Sequence, residues 1–108
     1  MDYVDATVHL KNFLDEDKRI TQLPKKRQLQ VYVLFYIASK IEGGKTYEEN
    51  EINDIISRWH TFNDTALLRR YLYQTGFLER HKNGSEYWVK EPQPTLDEFQ
   101  AWVDGRIG

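Results

Sequence analysis

Residues 29–38 form the most apolar stretch of the chain, and as a helix they would leave almost no polar face. A helix that is apolar on nearly all sides is buried on several of them, so this segment is predicted to be the central core helix. Pro24 suits the first turn of such a helix, and Gly43 with Gly44 suits its end. We therefore predict a helix from Pro24 to about Ile41, surrounded by the rest of a single domain, which a chain of 108 residues allows.

Apolar spacing predicts a helix on each side of this core segment. Residues 5–14 are predicted to form a short helix with Asp5 as its N-cap. Glu48 and Glu49 begin the second helix, where they suit the positive end of the helix dipole and are expected to be solvated. That helix runs to His60 and has one apolar face, formed by Ile52, Ile55, Ile56 and Trp59.

A third helix and a β-hairpin follow. Asn63 or Asp64 can cap a helix that runs to about Thr75. Beyond it, Asn83 and Gly84 lie between two strand-like runs, and an Asn-Gly pair favours a hairpin because both residues tolerate positive φ. With a two-residue loop, the predicted cross-strand pairs on one face are Leu78 with Val89 and Arg80 with Tyr87.

The C-terminal residues predict one more short helix. Thr95 and Glu98 have the spacing of a capping box, which would start a helix that carries Phe99 and Trp102. These two aromatic residues either dock on the same chain or pair with a second copy, and the sequence leaves both open.

The order of these elements is that of a winged helix-turn-helix. We predict an α+β fold, mainly α, in which three core helices and a two-stranded wing form a winged helix-turn-helix with short extra helices at both ends. Its predicted parts are an acidic N-terminal helical arm (residues 1–17), the winged helix-turn-helix domain (residues 18–90) and a C-terminal short helix (residues 91–108).

The net charge of −2 conceals an uneven distribution. Residues 18–90 carry a net charge of +5, whereas residues 1–17 carry −4 and residues 91–108 carry −3. Nucleic acid is a polyanion, and binding it needs local positive potential rather than a positive total. The alternative is that acidic ends simply keep the domain soluble.

The third helix has two chemically different faces. At 100° per residue, Leu68 and Leu72 lie on one face, and the opposite face carries Ala66, Arg69, Arg70 and Tyr73. Long forked donors beside a small residue are what a recognition helix uses to reach guanine edges or phosphates. The alternative is a solvated helix face with two ordinary arginines.

Two further basic sets are candidate phosphate contacts. Lys25, Lys26 and Arg27 are predicted in the first turn of the core helix, where cations oppose the helix dipole and a phosphate would offset that cost. Arg80 and Lys82 lie on the predicted wing. The alternative for Lys25, Lys26 and Arg27 is that they are surface residues selected for solubility. The alternative for Arg80 and Lys82 is that the hairpin merely covers the core.

No pattern of catalytic or metal-binding residues stands out. The three histidines, His9, His60 and His81, have no neighbouring ligand at metal-site spacing, and there is no Cys. Gly43, Gly44 and Lys45 lack the full phosphate-loop spacing. We therefore expect no enzyme activity, no metal and no cofactor. His60 is expected to pack or cap at a helix end, where its cation would suit the dipole.

The longest apolar run, residues 31–38, is too short to span a bilayer, and the N-terminus lacks the plan of a signal peptide. We expect a cytoplasmic protein without membrane contact.

Several motifs in this order resemble a small bacterial family, the domain of unknown function 2087, over roughly residues 12–90. The motifs are DEDKRI at residues 15–20, LPKKR at 23–27, TYEE at 46–49, WH at 59–60, LRRYL at 68–72, GFLER at 76–80 and GSEYW at 84–88. The resemblance implies a domain that occurs alone or attached to winged-helix regulators, so a role in transcription is expected. It implies no catalytic activity.

Two functions follow as hypotheses. The first is a DNA-binding transcriptional regulator that holds double-stranded DNA through the basic residues named above. If about five phosphates are neutralised, the logarithm of the affinity should fall against the logarithm of the salt concentration with a slope of roughly −4 to −5. The second is a protein-interaction module without catalysis, which would bind a regulator or form a homodimer through Phe99 and Trp102. The DNA sequence, the effector and the oligomeric state do not follow from the sequence.

Overall fold

The computed structural model describes the backbone of residues 3–107 and the side chains of residues 6–105. Its helices are α1 (Tyr3–His9), α2 (Arg27–Ala38), α3 (Glu49–Arg58), α4 (Thr65–Gln74) and α5 (Leu96–Ile107), with a 3₁₀ helix at Lys11–Phe13. The strands are β1 (Thr46–Glu48), β2 (Leu78–Arg80) and β3 (Glu86–Val89). About half of the chain is helical, and the fold is α+β as predicted.

Helix α2 is the centre of the core, as its apolar sequence predicts. Val31, Val33 and Ile37 have no exposed surface. Helices α1, α4 and α5 all pack on α2, which explains why it has no polar face. The fully enclosed side chains that surround it from other elements include Leu10, Ile20, Ile52, Ile56, Leu68, Leu72 and Val103.

The start of α2 differs from the prediction. The helix begins at Arg27, and Lys26 is its N-cap with extended backbone (ψ 131°), so Lys25 and Lys26 precede the helix. The buried Gln30 amide donates a 2.9 Å hydrogen bond to the Pro24 carbonyl, and this bond holds Pro24 outside the helix. The helix also ends at Ala38, three residues before the predicted Ile41.

The N-terminal segment consists of two short helices rather than the single one predicted over residues 5–14. Helix α1 begins at Tyr3, before Asp5, so the predicted N-cap at Asp5 is wrong. The loop that follows the 3₁₀ helix is organised by Asp15, whose carboxylate accepts 2.9 Å bonds from the backbone N–H of Asp17 and Arg19 and from the Arg19 guanidinium. The bond from the Arg19 backbone is the main cause that lowers the pKa of Asp15.

This loop then fastens the turn between α3 and α4 to the rest of the fold. The Ile20 N–H donates to the Trp59 carbonyl at 2.8 Å, and the Thr61 N–H donates to the Ile20 carbonyl at 2.9 Å. The Tyr36 hydroxyl on α2 donates to the Lys18 carbonyl at 2.5 Å. The three bonds tie the turn between α3 and α4 to the N-terminal loop, and that loop to α2.

The sheet is antiparallel with the strand order β1-β3-β2. The predicted register of the hairpin is confirmed, because Leu78 pairs with Val89 and Arg80 with Tyr87. Strand β1 adds a third strand beside β3, with Tyr47 opposite Tyr87, so the sheet is larger than the two-stranded wing that the sequence predicts.

The hairpin turn is wider than the predicted two-residue loop. Gly84 has a positive φ of 72°, whereas Asn83 does not adopt one. The Gly84 N–H donates to the His81 carbonyl at 2.9 Å, and the His81 N–H donates to the Glu86 carbonyl at 3.1 Å. The register is preserved because His81 still faces Glu86 across the turn.

Capping boxes begin two of the helices. The Thr95 hydroxyl accepts the Glu98 N–H at 3.2 Å and the Glu98 carboxylate accepts the Thr95 N–H at 3.0 Å, which confirms the predicted box. Hydrogen bonding to the Thr95 backbone is the main cause that lowers the pKa of Glu98. Glu48 forms the other box with Glu51 at the start of α3, so Glu48 is the N-cap rather than a residue of the first turn, and it is exposed to solvent as predicted.

Candidate functional site

A concave surface lies between α4 and the hairpin and has a volume of about 310 Å³. We name it the arginine surface. It brings together four of the residues singled out in the sequence, Arg69, Arg70, Tyr73 and Arg80. Ala66, Gln74 and Tyr87 complete its lining.

The local sequence explains why α4 presents this surface. Leu68 and Leu72 are fully buried, which turns the opposite face of the helix toward solvent. On that face Ala66 adds no bulk, and Tyr73 is 41% exposed. The helix ends at Gln74 with Thr75 as its C-cap, and Gly76, with a φ of 87°, redirects the chain into β2 and carries Arg80 back toward α4.

Arg80 has a guanidinium group that two tyrosines orient. It lies over the Tyr73 ring, 4.6 Å from the ring centroid. Hydrogen bonding with Tyr87 first and Tyr73 second raises the pKa of Arg80, a group that already carries a permanent positive charge. A cation held by stacking and hydrogen bonds loses less side-chain entropy when it meets an anion.

Arg69 is engaged within the protein. Its Nη1 donates to the Asn53 side chain on α3, and its Nε lies 3.7 Å from the Glu49 carboxylate. Its side chain is only 22% exposed. The Tyr87 hydroxyl donates to the same Glu49 carboxylate at 3.0 Å. Arg69 therefore joins α4 to α3, and Glu49, although partly solvated as predicted, is also a structural partner of Arg69 and Tyr87.

Arg70 and Lys82 are the open cations of this region. Both are exposed, and within residues 6–105 neither makes an ion pair with a carboxylate. Arg70 lies 5.9 Å from the centroid of the neighbouring Tyr71 ring. Lys82 lies in the hairpin turn, outside the lining of the arginine surface. Beside it, His81 is 3.5 Å from the Glu86 carboxylate.

The basic residues at the start of α2 lie elsewhere. Lys25 and Lys26 line a different groove, which shares no residue with the arginine surface. Arg27 lies 3.9 Å from Asp104 on α5. Of the eight candidate residues, Arg69, Arg70, Tyr73 and Arg80 therefore share one concave surface and Lys25 and Lys26 share another groove, whereas Arg27 and Lys82 line neither.

His60 fixes the start of α4 as a neutral imidazole. It is buried, its Nδ1 lies 2.9 Å from the Ile56 carbonyl, and its Nε2 accepts the Asp64 N–H at 3.0 Å. A carbonyl can only accept, so Nδ1 carries the proton and Nε2 carries none. The expected capping role is confirmed, because His60 bonds both the last turn of α3 and the residue that precedes α4.

Residues 19–89 match the family model described as an uncharacterized protein conserved in bacteria (DUF2087). The chain belongs to this family. No curated protein and no solved structure matched the chain. The DUF2087 match begins in the loop before α2 and ends with β3. It therefore contains all eight candidate DNA-binding residues, His60 and the whole sheet.

Helix α5 lies outside the DUF2087 match and contributes to the core. Phe99 is 1% exposed and Val103 is fully buried. Trp102 is partly buried and lies 5.0 Å from the Tyr71 ring on α4. The aromatic patch of α5 therefore docks on its own chain, and its use by a second copy or a regulator stays a prediction.

The described residues of this DUF2087 protein contain neither a metal-binding cluster nor a membrane-spanning helix. No group of three His, Asp or Glu side chains among those residues is arranged to hold a metal ion. None of the helices there is both long enough and apolar enough to cross a membrane.

Proposed function

We propose that this protein is a DNA-binding regulator of winged-helix type that works in the cytoplasm. The observation that carries the proposal is the arginine surface, where Arg70 and Arg80 flank the exposed Tyr73 in one concave place. Guanidinium groups recognise phosphates and guanine edges through paired N–H donors.

The order of the elements supports the same proposal. In this interpretation α3 and α4 form the helix-turn-helix, and β2 with β3 forms the wing, to which β1 adds a third strand. Helix α4 would enter the major groove, with Arg70 and Tyr73 toward the bases, and Arg80 and Lys82 would contact phosphates on the flanking backbone. Arg69 would hold α4 in place rather than touch DNA.

The number of exposed cations on α4 and the hairpin that form no ion pair with a carboxylate of the described residues sets the expected salt dependence. Arg70, Arg80 and Lys82 would neutralise three phosphates, which gives a slope of log affinity against log salt of about −2.7. The affinity should then fall about 40-fold between roughly 50 and 200 mM salt. This slope is shallower than the one expected from the sequence, because Arg69 is engaged and Lys25 and Lys26 line another groove.

The test is fluorescence anisotropy with a labelled random-sequence duplex at these two salt concentrations. Arg70→Gln and Arg80→Gln should each make the slope shallower by about 0.9. Lys11→Gln removes an exposed cation far from α4 in sequence and should leave the slope unchanged. Absence of binding at low salt, or equal slopes for all four proteins, would refute the proposal.

The second candidate, a protein-interaction module that binds through Phe99 and Trp102, has less support. Phe99 is buried in the core of its own chain, so a partner would have to displace α5 to reach it.

A further inference from the structure

A second groove, formed by the N-terminal segment and the residues that lead into α2, has a composition that differs from the arginine surface. It has a volume of about 500 Å³, within the range of small-molecule sites. Its apolar lining comes from Phe13, Leu23 and Leu29, each only partly buried. Its charged lining comes from Lys25 and Lys26, both exposed.

The walls of this groove are fixed by hydrogen bonds. Thr21 donates to the Phe13 carbonyl from its backbone N–H at 2.8 Å and from its hydroxyl at 3.1 Å, which ties one wall to the other. The Gln30 side chain, 8% exposed, holds the Pro24 carbonyl at 2.9 Å. The groove therefore exists before any ligand arrives, and a ligand would not have to order it.

The charge in the groove has one sign. Of the described residues that line it, none is acidic, and neither Lys25 nor Lys26 pairs with a carboxylate in the described part of the chain. The groove between α2, β1 and α3 is a useful contrast, because its lysines Lys40 and Lys45 share the lining with Glu42, Glu51 and Asp54. Two uncompensated ammonium groups beside an apolar floor favour an occupant that is anionic at one end and apolar at the other.

We propose that this groove binds a small amphipathic anion, with Lys25 and Lys26 on its anionic head and Phe13, Leu23 and Leu29 on its apolar body. A DNA phosphate would satisfy the two ammonium groups but would leave the apolar floor in water. An apolar tail covers that floor and gains the free energy of burying it. This site is separate from the proposed DNA surface.

The probe for the test is 8-anilinonaphthalene-1-sulfonate, a fluorescent amphipathic anion, titrated into the full chain. Lys25→Gln/Lys26→Gln should weaken its binding by about tenfold, because two charge-assisted contacts are lost. Both lysines are exposed, so the fold should persist, and thermal unfolding checks this. The matched control is Lys45→Gln/Lys90→Gln, which removes the same charge at two other exposed positions and should leave binding unchanged.

Competition then tests the two halves of the ligand. Decanoate should displace the probe at lower concentration than decanol, because only decanoate carries the anionic head. Equal displacement by the two, or equal probe affinity in the wild type and in Lys25→Gln/Lys26→Gln, would overturn the proposal.

An unlabelled DNA duplex, added as a third competitor, should not displace the probe. If it did, the groove would belong to a DNA surface and the proposal would be overturned. Conversely, a protein that binds the probe as expected but no DNA would refute the proposed function and leave this site standing.

Discussion

Arg69 provides the sharpest test of the site, because the structure gives it a different role from that of its neighbour Arg70. We consider the variants Arg69→Met and Glu49→Gln and the protein that carries both. Arg69→Met removes an ion pair and a hydrogen bond to Asn53, and both contacts join α4 to α3. Glu49→Gln removes only the charge of the pair and keeps an oxygen that can accept the Tyr87 hydroxyl.

The magnitude follows from distance and exposure. At 3.7 Å, with Glu49 46% exposed, the pair is well screened, and its contribution is about 1 kcal/mol. The hydrogen bond to Asn53 adds about 1 kcal/mol. Arg69→Met should therefore lower the free energy of unfolding by about 2 kcal/mol and Glu49→Gln by about 1 kcal/mol, with a coupling of about 1 kcal/mol between them.

The assay is thermal unfolding followed by circular dichroism, with each kcal/mol expected to shift Tm by about 5 °C. The folded variants are then titrated with duplex DNA. Arg69→Met should keep the salt slope of the wild type, whereas Arg70→Gln should make it shallower with little change in Tm. An Arg69→Met protein with unchanged Tm and a shallower slope would refute the structural role of Arg69.

Three further perturbations test the fold around the site. His60→Ala removes two hydrogen bonds, to the Ile56 carbonyl and from the Asp64 N–H, and should cost about 2 kcal/mol. A smaller loss in His60→Gln, which can restore an acceptor, would support this reason, whereas an unchanged Tm would contradict it. Asp15 and Glu98 have lowered pKa values, so their ionised carboxylates stabilise the fold above about pH 5, and this contribution is lost as the pH falls through those values. Asp15→Asn should therefore flatten the acid side of a plot of Tm against pH. An acid side unchanged from the wild type would contradict the stabilising role of the Asp15 carboxylate. Phe99→Ala should cost about 3–5 kcal/mol because it leaves a cavity against α2, and a near-neutral result in thermal unfolding would show that α5 does not dock as described.

Features with a local cause were predictable from the sequence. The central place of α2 follows from its own apolar residues, and the cap of α5 follows from the spacing of Thr95 and Glu98. The register of the hairpin was predicted correctly even though the turn was not, because shifting the register by one residue would expose Leu78 and Val89.

Features that depend on distant partners were not predictable in the same way. The start of α2 depends on the Gln30 side chain reaching the Pro24 carbonyl, and Pro24 alone favours an earlier start. The role of Arg69 depends on Glu49 and Asn53, which no spacing within α4 can indicate. The neutral state of His60 depends on its burial against an N–H of the following turn.

The position of α5 has a consequence for how this family should be divided into foldable pieces. The stretch matched by the family model ends at residue 89, yet α2 is covered on one flank by α1 and on another by α5, both outside that stretch. A fragment cut at the limits of the match would lose Leu10, Phe99 and Val103. It would therefore expose apolar surface along α2, its most hydrophobic helix. The stretch that the family model matches and the stretch that buries α2 are thus different lengths of chain, and a fragment of residues 19–89 is expected to be less stable than the full chain.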